Sequence, residues 1–191
     1  MELFLPLAFC TVLVHLAGRF LWFEAFRDFL SSSRYKKIAL SFLLLGLLNL
    51  ILYGYLFLNP THLVMIYKAT LSLGWIPYVA MSFFWLPRLI AQQIFVLGMQ
   101  GLWIFFLHNM SIFTILLLWN DNSIQQRLSL ELAMYLIYFL ITLPLSSRMF
   151  RHMCPSRRLI NDKAYGYYIA FLPLLIAFIQ MPISLEQDLW T

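Results

Sequence analysis

The sequence predicts an all-α, polytopic integral membrane helical bundle of about six transmembrane helices. Three observations predict it: the composition, the length of the apolar runs and the placement of the basic residues. Hydrophobic residues make up 62% of the 191 residues and charged residues 11%, whereas a soluble domain has roughly 45–50% and 25%. Most of the surface of this chain therefore faces lipid, and a water-soluble globule is excluded.

Six apolar runs have about the length that crosses the bilayer, since a helix rising 1.5 Å per residue needs roughly 20 residues for the hydrocarbon core. They lack the polar alternation of a membrane β-barrel, so residues 1–191 are predicted to form a single transmembrane domain. The fourth run fits either one tilted helix or a broken one. The runs are about Leu3–Phe20, Ile38–Leu58, Leu63–Trp85, Gln93–Trp119, Leu128–Leu145 and Tyr165–Leu185.

The first run does not read as a cleavable signal. It follows Glu2 without a preceding lysine or arginine, and Arg19 and Glu24 come after it instead of a small-residue cleavage site; a signal peptide has a basic start and a small-residue end. We expect this segment to remain in the mature protein.

Basic residues set the expected topology, because cytoplasmic loops are enriched in lysine and arginine. Eleven of the 13 fall in the first, third and fifth loops. Six spans then place both termini outside the cytoplasmic (inner) membrane. The first loop is counted from Arg19, and its main segment, residues 21–37, fits an interfacial helix or a helix end followed by a basic loop. The eleven are Arg19, Arg27, Arg34, Lys36, Lys37, Arg88, Arg148, Arg151, Arg157, Arg158 and Lys163.

Ionisable groups inside a span are candidate functional groups, because each costs about 2.5–3.5 kcal/mol to insert. Lys68 lies within the third run and Glu131 within the fifth. Lys68 fits a side chain that reaches back to the headgroups, and it equally fits a ligand contact or a bridge to Glu131. Both residues are candidate ligand or signal contacts.

Uncharged polar residues inside the fourth run form a second group of candidates. Gln100, His108 and Asn109 lie there, and each fits an interhelical hydrogen bond as well as a signal contact. His108 and Asn109 are adjacent, so on a helix they point about 100° apart and do not face one partner. Gly98 and Gly101 would allow close helix contact near Gln100.

The third run also contains a candidate hinge. Gly74 and Pro77 lie within one turn of each other, and a proline removes the backbone hydrogen bond to the residue four positions earlier. The helix is expected to bend between Leu73 and Pro77.

Catalytic signatures are absent from the sequence: it contains no GxSxG, HExxH, Walker or dinucleotide-binding motif. The chain is therefore not expected to be an enzyme, and we expect no catalytic residue, metal or cofactor. Its basic loops are explained by topology and anionic lipid, so nucleic acid is not an expected partner.

Three segments resemble the amino-terminal membrane region of bacterial GHKL-type (Agr-like) sensor histidine kinases. They are KATLSLGWIPY (Lys68–Tyr78), FVLGMQGLW (Phe95–Trp103) with His108 beyond it, and MCPSRRLINDK (Met153–Lys163). The resemblance implies a sensor module that detects an extracellular ligand or a membrane signal and relays it to a cytoplasmic kinase. The kinase domain, its phospho-accepting histidine and its ATP-binding boxes are absent from this chain.

Alternatives remain open at this stage. A small multi-pass carrier or other substrate-handling membrane protein fits the same composition. The final residues EQDLWT fit both a complete six-helix protein and a chain cut before a seventh helix. The expected partners are the lipid bilayer, a second copy of the chain in a homodimer and, by the resemblance, a cytoplasmic kinase domain and a response regulator.

Overall fold

A computed structural model describes residues 4–58, 63–118, 124–160 and 165–187, and this part of the chain is all-α, as expected. Two 3-10 turns, Arg27–Phe29 and Pro87–Leu89, connect helices. The helices are α1 Phe4–Phe26, α2 Ser32–Leu56, α3 Leu63–Leu73, α4 Ile76–Trp85, α5 Ile90–Leu118, α6 Ile124–Met153, the single turn α7 Arg157–Ile160, and α8 Gly166–Gln187.

Four segments have the length and composition of membrane-spanning helices, and they correspond to the first, second, fourth and fifth predicted runs. The third run is divided between α3 and α4. Helix α8 has 22 residues, of which Tyr168–Ala177 form the described apolar stretch. The described residues thus contain four candidate membrane-spanning helices, and the expected count of six is not confirmed. The four are Leu5–Phe29, Ser32–Leu56, Pro87–Leu118 and Ser129–Met153.

The helices continue beyond the apolar runs, which shortens the expected loops. Helix α1 ends at Phe26 instead of Phe20, and α6 continues to Met153. Helix α2 begins at Ser32, where the Ser31 hydroxyl accepts a hydrogen bond from the backbone N–H of Arg34 at 3.5 Å. The predicted first loop is therefore two helix ends joined by a 3-10 turn, without a separate interfacial helix among these described residues. Charged residues stay helical here because helices extend past the hydrocarbon into the water-exposed interface.

The fourth run is one unbroken helix of 29 residues, α5, whereas the third is interrupted. Helix α3 ends at Leu73 and α4 begins at Ile76, with Gly74 and Trp75 in a turn between them. Pro77 lies in the first turn of α4, a position where the missing N–H breaks no helical hydrogen bond. The third run is therefore two helices separated at Gly74 and Trp75, inside the segment Leu73–Pro77 where the sequence predicts a bend.

Helix α1 lies at the centre of the bundle and packs against α2, α5 and α6. Helix α2 shows the inward and outward faces that this arrangement requires. Five residues spaced three or four apart face inward: Ile38, Phe42, Gly46, Asn49 and Tyr53. Large apolar side chains occupy the opposite face, as expected for contact with lipid: Leu40, Leu43, Leu44, Leu47, Leu48 and Ile51.

Helices α5 and α8 form the most extensive helix pair, and glycine permits their close approach. A Cβ atom at Gly98 would overlap the backbone nitrogen of Leu174 and lie 2.6 Å from the carbonyl carbon of Pro173. At Gly101 a Cβ would lie 3.1 Å from the Cβ of Ala177. Small residues stabilise membrane helix pairs because they let backbones pack closely.

An ion pair at the ends of α1 and α6 shows that these two helices run parallel. Arg151 donates from Nη2 to Oε2 of Glu24 at 2.8 Å, and both residues lie near the carboxyl ends of their helices. We call this the basic end, because Arg148 and Arg151 on α6 and Arg27 after α1 lie there. Arg148 and Arg151 were expected in a loop and are instead helical.

Candidate functional site

One candidate site lies away from the basic end and joins α3, α5 and α6. The Tyr67 hydroxyl lies 3.4 Å from Oε1 of Glu131, to which it donates a hydrogen bond. Nδ1 of His108 lies 3.2 Å from the same oxygen. The Glu131 and His108 side chains are 13% and 19% exposed. We name Tyr67, His108 and Glu131 the Glu131 cluster.

Two of the predicted candidates, His108 and Glu131, therefore meet, and Tyr67 is a partner that the sequence reasoning missed. Lys68 follows Tyr67 in α3 and is half-buried. The Lys68–Glu131 bridge stays a prediction. Asn109 is half-buried on α5, about 100° around the helix from His108, and no described side chain hydrogen-bonds to it.

A second candidate site surrounds Arg19 inside the bundle. Arg19 is 5% exposed and lies seven residues before the end of α1, about 10 Å along the helix axis. It donates from Nη1 to the Ser82 hydroxyl at 3.1 Å and from Nη2 to Oε1 of Gln100 at 3.3 Å. The guanidinium thus joins α1, α4 and α5. Among the described residues, no carboxylate forms an ion pair with it.

Gln100 holds two elements of this site together. Its Oε1 accepts from Arg19, while its Nε2 donates to the backbone carbonyl of Gly18 at 2.6 Å. Gln100 is 1% exposed, and a buried amide is stable there because both of its ends are hydrogen-bonded. The structure therefore gives this predicted signal candidate an interhelical bonding role.

Aromatic and amide side chains of α1, α2 and α4 lie beside Arg19. The His15 ring is 5.9 Å from the Tyr78 ring and 6.0 Å from the Tyr53 ring, centroid to centroid. His15 and Arg19 are four residues apart and so share one face of α1. We name the Arg19 site by its members: His15, Arg19, Asn49, Tyr53, Tyr78, Ser82 and Gln100.

The polar side chains of the Arg19 site are buried and mostly lie beside one another. His15 interacts with the backbone of Leu71, and Asn49 interacts with the Tyr78 hydroxyl, whereas Nε of Arg19 has no hydrogen-bond partner among the described residues. Buried polar groups are hydrogen-bonded in the great majority of cases. A buried cation with only neutral partners makes this region a candidate functional site.

The assignment of Arg19 to a loop was wrong. The predicted apolar run ends at Phe20, but the mainly apolar residues LWFEAF continue α1 for six more positions. Arg19 therefore lies well inside α1 and not at its end, and its spacing of four from His15 is the signal that could have found the site.

The predicted hinge residues lie between the two sites. A Cβ atom at Gly74 would overlap the Tyr53 hydroxyl and lie 2.6 Å from Cε1 of His15. Gly74 therefore brings the α3–α4 turn directly onto the Arg19 site, whereas Pro77 on α4 is exposed.

The two sites differ in chemistry. The Glu131 cluster pairs a carboxylate with an imidazole, groups that can exchange a proton, whereas the Arg19 site is rich in hydrogen-bond donors and holds a fixed positive charge. In the described part of the chain, no three histidine, cysteine or acidic side chains are grouped as metal ligands. Comparisons with known proteins give no match to a family, a curated protein or a solved structure.

Proposed function

We propose that this chain is the membrane-embedded sensor module of a signalling protein. It detects an extracellular ligand or a membrane signal and relays it to a cytoplasmic kinase, which passes it to a response regulator. Support comes from the Glu131 cluster, where one carboxylate contacts side chains of α3 and α5 from its place on α6. Tyr67, its partner on α3, lies six residues before the end of that helix at Leu73. A signal that changes these contacts alters the position of α3.

A movement of α3 can reach the other end of the bundle through the turn at Gly74, which connects α3 to α4. Helix α3 ends in a turn that touches His15 and Tyr53, and α4 holds Ser82 against Arg19. A ligand shifts such an arrangement only if it binds one position of α3 more tightly than the other. In this proposal the movement is passed to the kinase at the start of α5, beside Arg88.

Tyr67→Phe tests the proposal, because it removes one hydroxyl from the Glu131 cluster and little else. The chain is joined to a reporter histidine kinase through one added transmembrane helix, which brings the kinase to the cytoplasmic side. We expect Tyr67→Phe and Glu131→Gln each to change basal autophosphorylation by about fivefold or more, the scale of a 1 kcal/mol coupling. Pro77→Ala, which favours a continuous helix, is expected to reduce that change.

Tyr55→Phe is the matched control, since Tyr55 is 75% exposed on the lipid face of α2 and its output should equal that of the unmodified chain. Equal output from all variants, with normal insertion and expression, would remove the support for a sensor.

We also propose the full topology: six crossings of the cytoplasmic membrane with both termini outside. Helices α3 and α4 together span residues 63–85 as one interrupted crossing, and α8 is the sixth. The common location of Arg27, Arg148 and Arg151 at the basic end supports a cytoplasmic side there. The termini, residues 1–3 and 188–191, lie outside the described residues.

Cysteine labelling tests this topology in a chain without Cys10 and Cys154. Ser123→Cys, a position outside the described residues, should react from outside intact cells, and exposed Ser156→Cys only after permeabilisation. Native Cys154 is a poor probe, because burial raises the pKa of its thiol to about 11 and the reactive thiolate is scarce at pH 7. Labelling of Ser156→Cys in intact cells contradicts the six-span topology.

A carrier is the second candidate, and the Arg19 site favours it. Carriers place substrate sites near the middle of the membrane, where ionisable groups face the bundle interior. Unchanged reporter output together with uptake of a labelled organic anion into proteoliposomes would favour the carrier over the sensor.

A further inference from the structure

We propose that the Glu131 cluster is a proton-binding site, in which Glu131 and His108 share one exchangeable proton, and that the signal is acidity on the side of the membrane opposite the basic end. Proton binding follows from the chemistry of the cluster itself, whereas its use as a signal rests on the proposed sensor function. Because the ligand is a proton, the site needs no cavity to hold it.

The contact between His108 and Glu131 determines which ring nitrogen carries hydrogen. Nδ1 of His108 lies 3.2 Å from Oε1 of Glu131, and an ionised carboxylate only accepts hydrogen bonds, so Nδ1 donates and Nε2 is the basic nitrogen. An incoming proton adds to Nε2 and forms an imidazolium beside the carboxylate, and no covalent bond breaks. The pair then changes from one net negative charge to none. Because the two groups interact, this uptake is a property of the pair.

The position of the pair gives protons access to it. Glu131 is the third residue of the candidate span Ser129–Met153, which places its Cα atom about 3 Å from the end of that span. The side chains of His108 and Glu131 keep 19% and 13% of their surface exposed. A pair in this position can exchange a proton with interfacial water without a channel through the bundle.

The charged and titratable groups around the pair leave the imidazole as the group that responds near neutral pH. The described ones on the turns that meet at the cluster are Tyr67 and Lys68 on α3, His108 on α5, and Arg127, Glu131 and Tyr135 on α6. Helix α1, parallel to α6, has the apolar residues 5–7 at the level of Glu131, and Tyr168 lies in the first turn of α8, away from the cluster. Phenol, ammonium and guanidinium groups do not ordinarily change charge between about pH 5 and 8, whereas an imidazole does.

Proton uptake changes the balance between the two contacts of the Glu131 carboxylate. Its Oε1 faces His108 on α5 at 3.2 Å and accepts from the Tyr67 hydroxyl on α3 at 3.4 Å. An imidazolium adds Coulomb attraction to its hydrogen bond, so it draws the carboxylate towards α5 and weakens the longer bond to Tyr67. Among the described helices, α3 belongs to none of the extensive pairs, such as α5 with α6, so its position depends on side-chain contacts of this kind. Acidification therefore loosens α3 from the cluster.

Solid-state nuclear magnetic resonance of the full chain with 15N-labelled histidine, in phosphatidylcholine nanodiscs, observes the proton directly. His108→Gln identifies the signals of His108 among the four histidines. On acidification from about pH 8 to about pH 5, the ordinary range of an imidazole, we expect Nε2 of His108 to gain a hydrogen while Nδ1 carries one throughout. A ring that keeps its charge across this range, or that carries its hydrogen on Nε2 at the alkaline end, would overturn the proton site.

Glu131→Gln tests whether the two groups share the proton, because it removes the negative charge and keeps the shape of the side chain. We expect it to lower the proton affinity of His108 by about threefold or more, since the imidazolium loses the opposite charge beside it. Glu24→Gln is the matched control, because Glu24 is a carboxylate of similar exposure, 14%, that pairs with Arg151 at the basic end. Equal proton affinity of His108 in folded Glu131→Gln and in the unmodified chain contradicts a shared proton. The titration of the unmodified chain decides the matter if Glu131→Gln does not fold.

The reporter kinase joined through the added helix tests acidity as the signal. Acidifying the medium of intact cells over the same range should change the autophosphorylation of the unmodified chain and of Glu24→Gln, and leave that of His108→Gln constant. If His108 takes up its proton and the output ignores pH while Tyr67→Phe still changes it, the acid signal is wrong and the sensor function stands. If His108 does not titrate, the proton site is wrong whatever the reporter shows.

Discussion

Replacing Gly98 with leucine is expected to separate α8 from α5 and to lower the stability of the bundle more than other single changes at a glycine of α5. The neighbours of Gly98 are backbone atoms of Pro173 and Leu174, which cannot turn aside as a flexible side chain can. Overpacking costs typically 1–3 kcal/mol and sometimes more. A loss of about 3 kcal/mol corresponds to a fall of roughly 6–12 °C in the thermal midpoint of a chain of this size.

Gly54→Leu is the matched control, because a Cβ atom at Gly54 meets nothing within 4 Å. Both variants add the same side chain to a membrane helix and lose the same glycine flexibility. The midpoint is measured by thermal unfolding in detergent, followed by circular dichroism. It should be lower for Gly98→Leu than for the unmodified chain and nearly unchanged for Gly54→Leu. Equal midpoints would contradict the close crossing of α5 and α8.

Much of the fold could be predicted from the sequence, because long apolar runs leave the backbone no other way to satisfy its hydrogen bonds in lipid than as helices. The ends of those helices could not be predicted, because an apolar run ends at the edge of the lipid whereas the helix continues beyond it. Helix α6 continues for eight residues past Leu145 and carries Arg148 and Arg151. The turn at Gly74 packs closely against Tyr53 and His15, which come from two other helices, and this contact is not visible in the sequence.

The candidate sites were only partly predictable. Single intramembrane polar residues such as Glu131 and His108 are visible in a sequence because they interrupt apolar runs, but their partners are set by packing. The position of Arg19 could not be predicted, because basic residues usually mark loops. The acceptors that stabilise it inside the bundle, Ser82 and Gln100, lie more than 60 residues away in the sequence. The charge of a residue can be read from the sequence, whereas the groups that solvate that charge are known only from the folded structure.

Gln100→Leu is expected to destabilise the protein by about 3 kcal/mol, the upper end of the range of roughly 1.5–3 kcal/mol for a buried hydrogen bond to a charged group. The change leaves Nη2 of buried Arg19 without its acceptor and removes the hydrogen bond to the Gly18 carbonyl. Asn109→Leu on the same helix is the matched control, because this half-buried amide is hydrogen-bonded to no described side chain. Its thermal midpoint should stay close to that of the unmodified chain.

The same substitution made in an Arg19→Met background separates the charge from the packing. Without the cation, Gln100→Leu should cost only about 1 kcal/mol, the ordinary value of one neutral hydrogen bond, here the one to Gly18. The two costs then differ by about 2 kcal/mol, which is the interaction energy of Arg19 with Gln100 in a double-mutant cycle. Thermal or chemical unfolding of the four proteins in the same detergent measures it. If Gln100→Leu costs the same in both backgrounds, Arg19 does not depend on Gln100, and the guanidinium is stabilised inside the bundle by other groups.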